Sequence, residues 1–137
     1  MNPANASSAP DPSRPKRVLI VEDDDDARDV LGELIMALGH DVVQAATASE
    51  ALERAADSEP DFALIDLGLA GTDGCEVARQ IRSTPRGREI RLVALTGYSD
   101  KNTRKNAAEA GFDEFIVKPA HCDVIEALLN ARAEQQN

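Results

Sequence analysis

From Arg17 onward, five short apolar runs alternate with five stretches of helical periodicity, and that alternation restricts the chain to very few folds. The runs are Val18-Leu19-Ile20-Val21, a weaker one over Asp41 to Ala45, Phe62-Ala63-Leu64-Ile65-Asp66, Ile90 to Thr96, and Asp113 to Val117. Each is short, mostly apolar and stopped by charge or a turn residue, the pattern of a strand buried on both faces. Between them, Val30, Leu31, Leu34, Ile35 and Leu38 recur at helical spacing over 26–38, with Gly39 as the stop. Thr47-Ala48-Ser49-Glu50 is a capping-box pattern that opens a second helix, ending before Pro60. Val77, Ala78 and Ile81 mark the inner face of a third helix, and Pro85 and Gly87 mark 83–89 as a loop. A fourth helix over 100–110 almost lacks large apolar residues, whereas a fifth carries Val124, Ile125, Leu128 and Leu129. Strands alternating with helices predict a doubly wound α/β fold: a five-stranded parallel sheet, right-handed crossovers, and helices on both faces.

A length of 137 residues allows one domain. The Pro- and Ser-rich residues 1–15 read as a disordered tail, which leaves 16–137 as the folded unit. Acids outnumber bases 25 to 15, and the net charge of -10 argues against a nucleic-acid-binding face. Cys75, Cys122, His40 and His121 show no zinc-site spacing, and the two thiols read as reduced. No apolar run reaches membrane-spanning length and no signal peptide is evident, so the expectation is a cytoplasmic protein without a membrane partner.

In open parallel sheets, ligands bind beyond the carboxyl ends of the strands. The first strand ends in Glu22-Asp23, followed by Asp24, Asp25 and Asp26; the third ends in Asp66, the fourth in Thr96 and the fifth in Lys118-Pro119. These residues are expected on one edge. Asp25 and Asp26 read as acids favouring a helix N-terminus. Glu22 and Asp23 directly follow a buried strand, where unpaired charge is costly, and read as cation ligands. Asp66 beside them would suffer like-charge repulsion, relieved by protonation or by a metal, and converging oxygens suit Mg²⁺. Taken alone, Asp66 also fits a turn, and Thr96 fits an ordinary strand residue. Lys118 fits either a salt bridge to Asp66 or a point charge for a phosphoryl oxygen, and one reading does not exclude the other.

The stretches VLIVEDDDDAR, DFALIDLGLAGTDG, LVALTG and FIVKP, in this order on these strand ends, resemble the receiver domain of two-component response regulators of the chemotaxis type. The resemblance implies a flavodoxin-like (βα)5 fold with strand order 2-1-3-4-5. It makes Asp66 the phosphoacceptor, with Glu22, Asp23 and the Gly68 carbonyl joining it around Mg²⁺. Thr96 and Lys118 complete the catalytic set, with Thr96 and Phe115 as the switch pair; Phe115 also fits a plain core residue. Gly68 and Tyr98 fall at positions that modulate dephosphorylation. Where the family pattern reads Pro-Gly after the acceptor, this chain has Ala70-Gly71. The implied function is transfer of a phosphoryl group to Asp66 from a histidine kinase or histidine phosphotransfer protein. Transfer would switch the face of the fourth helix, fifth strand and fifth helix for a protein partner or for relay. Such a chain is no enzyme beyond its own phosphorylation and dephosphorylation, and is either a monomer or a phosphorylation-dependent dimer. Two alternatives remain: the receiver portion of a hybrid histidine kinase, and a Mg²⁺-dependent phosphatase with an Asp nucleophile. The latter usually needs a second Asp two residues after the nucleophile, where this chain has Gly68.

Overall fold

The computed structural model describes residues 14–130; the predicted tail, but for its last two residues, and residues 131–137 lie outside the described part. The elements run β1 (Arg17–Val21), α1 (Asp25–Ala37), β2 (Asp41–Ala45), α2 (Ala48–Asp57), β3 (Phe62–Asp66), α3 (Gly74–Arg82), β4 (Arg91–Thr96), α4 (Lys101–Ala110), β5 (Glu114–Val117) and α5 (Cys122–Asn130). A short 3-10 turn, Arg86–Glu89, occupies the stretch expected as a loop. The strands form one parallel sheet in the order β2-β1-β3-β4-β5. Chain order reverses beside β1, so the edge holding the ends of β1 and β3 is the switch point expected to carry a site.

Alternation along the strands divides the core in two. Leu19, Val21, Ala63, Ile65, Leu92 and Ala94 face one side, with Ala51 and Ala55 of α2, Val77, Ala78 and Ile81 of α3, and Ala107 and Ala110 of α4. Val18, Ile20, Phe62, Leu64, Val93 and Leu95 face the other, with Ile35 of α1 and Ile125 and Leu129 of α5. Each large apolar side chain removed from water here contributes about 1.5–3 kcal/mol. Helix α4 seats itself with alanines alone, so it is the helix whose displacement uncovers the least apolar surface.

At the start of α1, Asp25 and Asp26 stand at the helix N-terminus as expected, while one apolar expectation further along is revised. The N-cap of α1 is Asp24, whose carboxylate accepts from the Ala27 N–H at 3.0 Å; Asp25 and Asp26 occupy the first turn. Val30 follows the apolar periodicity but is 66% exposed. It lines a surface groove with Leu31, Leu34, Pro119 and Ala120.

Arg82, at the end of α3, closes the opposite side. Its guanidinium donates to the Gly87, Ile90 and Gly111 carbonyls and to the Asp113 carboxylate at 2.7–3.0 Å, joining α3 to the approaches of β4 and β5. At the far end of the sheet, the Lys16 N–H donates to buried His40 Nδ1 at 2.9 Å. Burial first, then the Lys16 charge, lowers the His40 pKa. Folding therefore favours neutral imidazole, and the unfolded chain binds that proton more readily. Stability should be full above about pH 6.5 and decline as pH falls below it. Urea midpoints at pH 7.5 and 5.5 should differ by less in His40→Gln than in the parent. An equal difference would assign the acid sensitivity to other groups. Among the described residues, no helix is long and apolar enough to cross a membrane.

Candidate functional site

The carboxyl ends of β1, β3, β4 and β5 bring Glu22, Asp23, Asp66, Thr96 and Lys118 to one edge. Glu22, Asp66 and Thr96 are buried at 4%, 7% and 4% exposure. One carboxylate oxygen from each of Glu22, Asp23 and Asp66 lies within 4.8 Å of the others. Three acids so close repel one another unless a cation intervenes. Part of that cation is supplied by Lys118, whose Nζ lies 3.1 Å from Asp66 Oδ2 and 3.2 Å from Glu22 Oε1. The sequence pointed to the Asp66 contact; the one to Glu22 adds a second buried acid.

Backbone donors hold the carboxylates in place. Asp66 Oδ1 accepts from the Gly68 N–H at 2.9 Å, Asp23 Oδ2 from the Ala70 N–H at 2.8 Å, and Glu22 Oε2 from the Asp24 N–H at 3.1 Å. The β3–α3 loop is itself pinned, by Leu67 N–H to the Leu95 carbonyl and by Gly74 N–H to the Leu67 carbonyl. Arg28 of α1 donates to the Glu22 carbonyl at 2.9 Å. On the other side, the Lys118 N–H donates to the Thr96 carbonyl at 2.7 Å, and the Lys118–Pro119 bond is cis.

Burial raises the Glu22 pKa, with the Asp66 charge adding to it and the Asp24 N–H and Lys118 opposing. The Ala70 N–H lowers that of Asp23. Burial alone would lower the pKa of Lys118, but its bonds to Asp66 and Glu22 outweigh that and raise it. The ammonium is thus charged across the physiological range. Three hard carboxylate oxygens within 4.8 Å of one another fit Mg²⁺, and poorly fit a soft metal.

Thr96 Oγ1 accepts from the Tyr98 N–H at 3.1 Å, and this leaves its own proton free to donate. A cleft of about 330 Å³ runs from Asp66 and Thr96 past Gly68, Cys75 and Thr103, and Tyr98 lines it while remaining 72% exposed. Phe115 is half-buried against the α2–α3–α4 side of the core, with the Arg104 guanidinium 4.6 Å from its ring centroid. Sequence reasoning missed Ala70, Arg28, Arg104 and Gly74. The first acts through its backbone and the next two through contacts made only in the folded chain. Gly74 carried a signal as a glycine where a helix begins: a Cβ there would lie 2.4 Å from the Asp66 carbonyl oxygen.

A profile of the family described as the response regulator receiver domain matches residues 18–130. The chain is 35% identical over 115 residues to the two-component response regulator PhoP of Pseudomonas aeruginosa, covering 84% of this chain and 50% of that protein. It is 33% identical over 114 residues to the transcriptional regulatory protein AfsQ1 of Streptomyces coelicolor, covering 83% of this chain and 49% of that one. The chain thus spans about half the length of these two relatives. The receiver domain of a Pseudomonas aeruginosa sensor histidine kinase, solved with magnesium coordinated in its active-site cleft, superposes with a TM-score of 0.77 at 28% identity, covering 85% of this chain and 95% of that one. A Burkholderia pseudomallei response regulator, solved with a phosphorylated aspartic acid, calcium and citrate, gives 0.76 at 28% identity over 83% of this chain and 66% of that one. With the family profile spanning all five strands, and with the sheet order and acidic edge expected of such a module, the chain belongs to the response regulator receiver domains of two-component signalling.

Proposed function

We propose that Asp66 accepts a phosphoryl group from a phosphohistidine on a kinase or phosphotransfer protein, and that the modified carboxylate switches the α4–β5–α5 face for a protein partner or for onward relay. The observation that carries this reading is the Lys118 ammonium lying 3.1 Å from Asp66 Oδ2 within a cluster of three carboxylates. In the reaction, an Asp66 carboxylate oxygen forms the new O–P bond as the P–N bond breaks. The imidazole nitrogen leaves with the electron pair. Lys118 pairs with the incoming phosphoryl oxygens as a fixed charge. Mg²⁺, held by Asp23, Asp66 and the Gly68 carbonyl with Glu22 in support, would supply neutralisation of the phosphoryl charge when bound. The Thr96 hydroxyl donates its free proton to a phosphoryl oxygen, and Phe115 follows the space that this opens. Hydrolysis of the acyl phosphate resets the module.

Asp66→Asn should lose the phosphoryl group that the parent gains from acetyl phosphate with Mg²⁺, read as protein mass; an undiminished gain would remove Asp66 as acceptor. Tyr98 lines the cleft beside Asp66, and in this reading its ring shields the acyl phosphate from water. Tyr98→Ala should shorten the phosphoryl lifetime about two- to tenfold, within the range of a small change in active-site packing; an equal or longer lifetime would exclude shielding. The setting is cytoplasmic, where kinases hold ATP. A second reading, the receiver portion of a hybrid histidine kinase, is favoured by the likeness to the sensor-kinase receiver domain above.

A further inference from the structure

Helix α4 lies between two clefts. One, of about 330 Å³, opens on Asp66, Thr96 and Asn106. The other, of about 310 Å³, is lined by Arg104, Ala107, Phe112 and Phe115. The helix is seated between them by Ala107 and Ala110, so its apolar anchorage is weak. A single long side chain compensates. The Arg104 guanidinium covers the Phe115 ring at 4.6 Å, and its Nε–H donates to the Ser99 carbonyl at 3.3 Å. Ser99 follows Tyr98, whose N–H holds Thr96 Oγ1. The contacts therefore form an unbroken series: Thr96 hydroxyl, Tyr98–Ser99 backbone, Arg104, Phe115 ring. Its first member faces the acceptor and its last belongs to β5.

Resting on the function proposed above, we infer that Arg104 is a latch that holds the unphosphorylated arrangement, clamping Phe115 and the β4–α4 loop together. When Thr96 turns to a phosphoryl oxygen it leaves the Tyr98 N–H, the loop moves, the Ser99 carbonyl departs from Arg104, and the Phe115 ring is uncovered. Arg104 is a positioning residue; it touches neither acceptor nor donor. A contact made only in the resting state opposes the modification by its own free energy, and its removal must favour the modified state by the same factor.

The sign of the effect separates the latch from simple electrostatics. Beryllofluoride is an anionic mimic of the phosphoryl group. If Arg104 acted only through its positive charge, Arg104→Gln would weaken beryllofluoride binding. The latch predicts the reverse. With Mg²⁺ present, Arg104→Gln should bind beryllofluoride about two- to fivefold more tightly than the parent, the size expected of one exposed cation–aromatic contact. In a Phe115→Leu background the same substitution should change affinity less. Free Arg104→Gln should also show Phe115 ring resonances shifted from the parent's toward those of the beryllofluoride-bound parent; Phe115 shifts matching the free parent would count against the clamp. Binding equal to or weaker than the parent's would overturn the latch while leaving the acceptor role of Asp66 intact. Failure of the parent itself to bind would remove both readings.

Discussion

Gly74→Ala should cost about 3 kcal/mol of stability and most of the phosphoryl acceptance at Asp66. The reason is steric and local. A Cβ at position 74 would stand 2.4 Å from the Asp66 carbonyl oxygen and 2.8 Å from the Leu67 Cα. Both are backbone atoms, held by the β3–β4 ladder and by the Leu67 N–H to the Leu95 carbonyl. No rotamer relieves the clash, so either α3 or the end of β3 must move. Overpacking of a fixed core costs about 1–3 kcal/mol, and occasionally more. A shift of 1 Å at the end of β3 also carries the Asp66 carboxylate away from Lys118 and Asp23, and a misplacement of that size costs about a hundredfold in rate. Urea unfolding reads the first effect and acetyl-phosphate labelling the second. Gly32→Ala provides the contrast. There the nearest atom is the mobile Nε2 of Gln44, at 2.9 Å, so little should be lost. Equal behaviour of the two variants would show that crowding at position 74 does not govern the site.

Lys118→Ala should reduce phosphoryl uptake about a hundredfold, the usual cost of removing one charged donor aimed at a developing anion. The same substitution leaves Glu22 and Asp66, both buried, without their shared counter-charge. Their repulsion then falls on the folded state alone. The variant should therefore have a lower Tm than the parent without Mg²⁺, and should gain more than the parent when Mg²⁺ is added, because the ion then provides the missing charge. Lys118→Arg tests geometry apart from charge. A planar fork cannot serve as a compact charge between two carboxylates, so labelling should recover only in part. A Tm of Lys118→Ala that matches the parent with and without Mg²⁺ would contradict the account of the cluster.

The sheet was legible because its evidence is local and repeated. Five apolar runs between helical stretches admit a parallel sheet, and a carboxylate or ammonium directly after a buried strand announces its own edge. Asp66 and Lys118 could be placed together from strand ends alone, since parallel strands deliver their C-termini to the same side. What escaped notice depends on atoms the sequence does not advertise. The Ala70 N–H that fixes Asp23 belongs to a residue with no functional group, 47 positions away. Arg82 looks like one surface base among several, yet it binds three carbonyls and a carboxylate because the ends of α3, the 3-10 turn and α4 converge on it. Val30 satisfied the helical period but not the burial, because periodicity reports which face a residue occupies and not how far that face is covered.

Asp66 as acceptor is the claim on which the rest depends, and hydride reduction of the labelled protein tests it most directly. An aspartyl phosphate is an acyl phosphate, which borohydride converts to homoserine, whereas phosphohistidine and phosphoserine are not reduced in this way. After treatment with acetyl phosphate and Mg²⁺, homoserine should replace aspartate at position 66 and not at Asp23 or Asp24, and Glu22 should show no conversion to 5-hydroxynorvaline, the corresponding product of a glutamyl phosphate. Homoserine at Asp23 or Asp24, 5-hydroxynorvaline at Glu22, or a label that resists reduction would contradict the account.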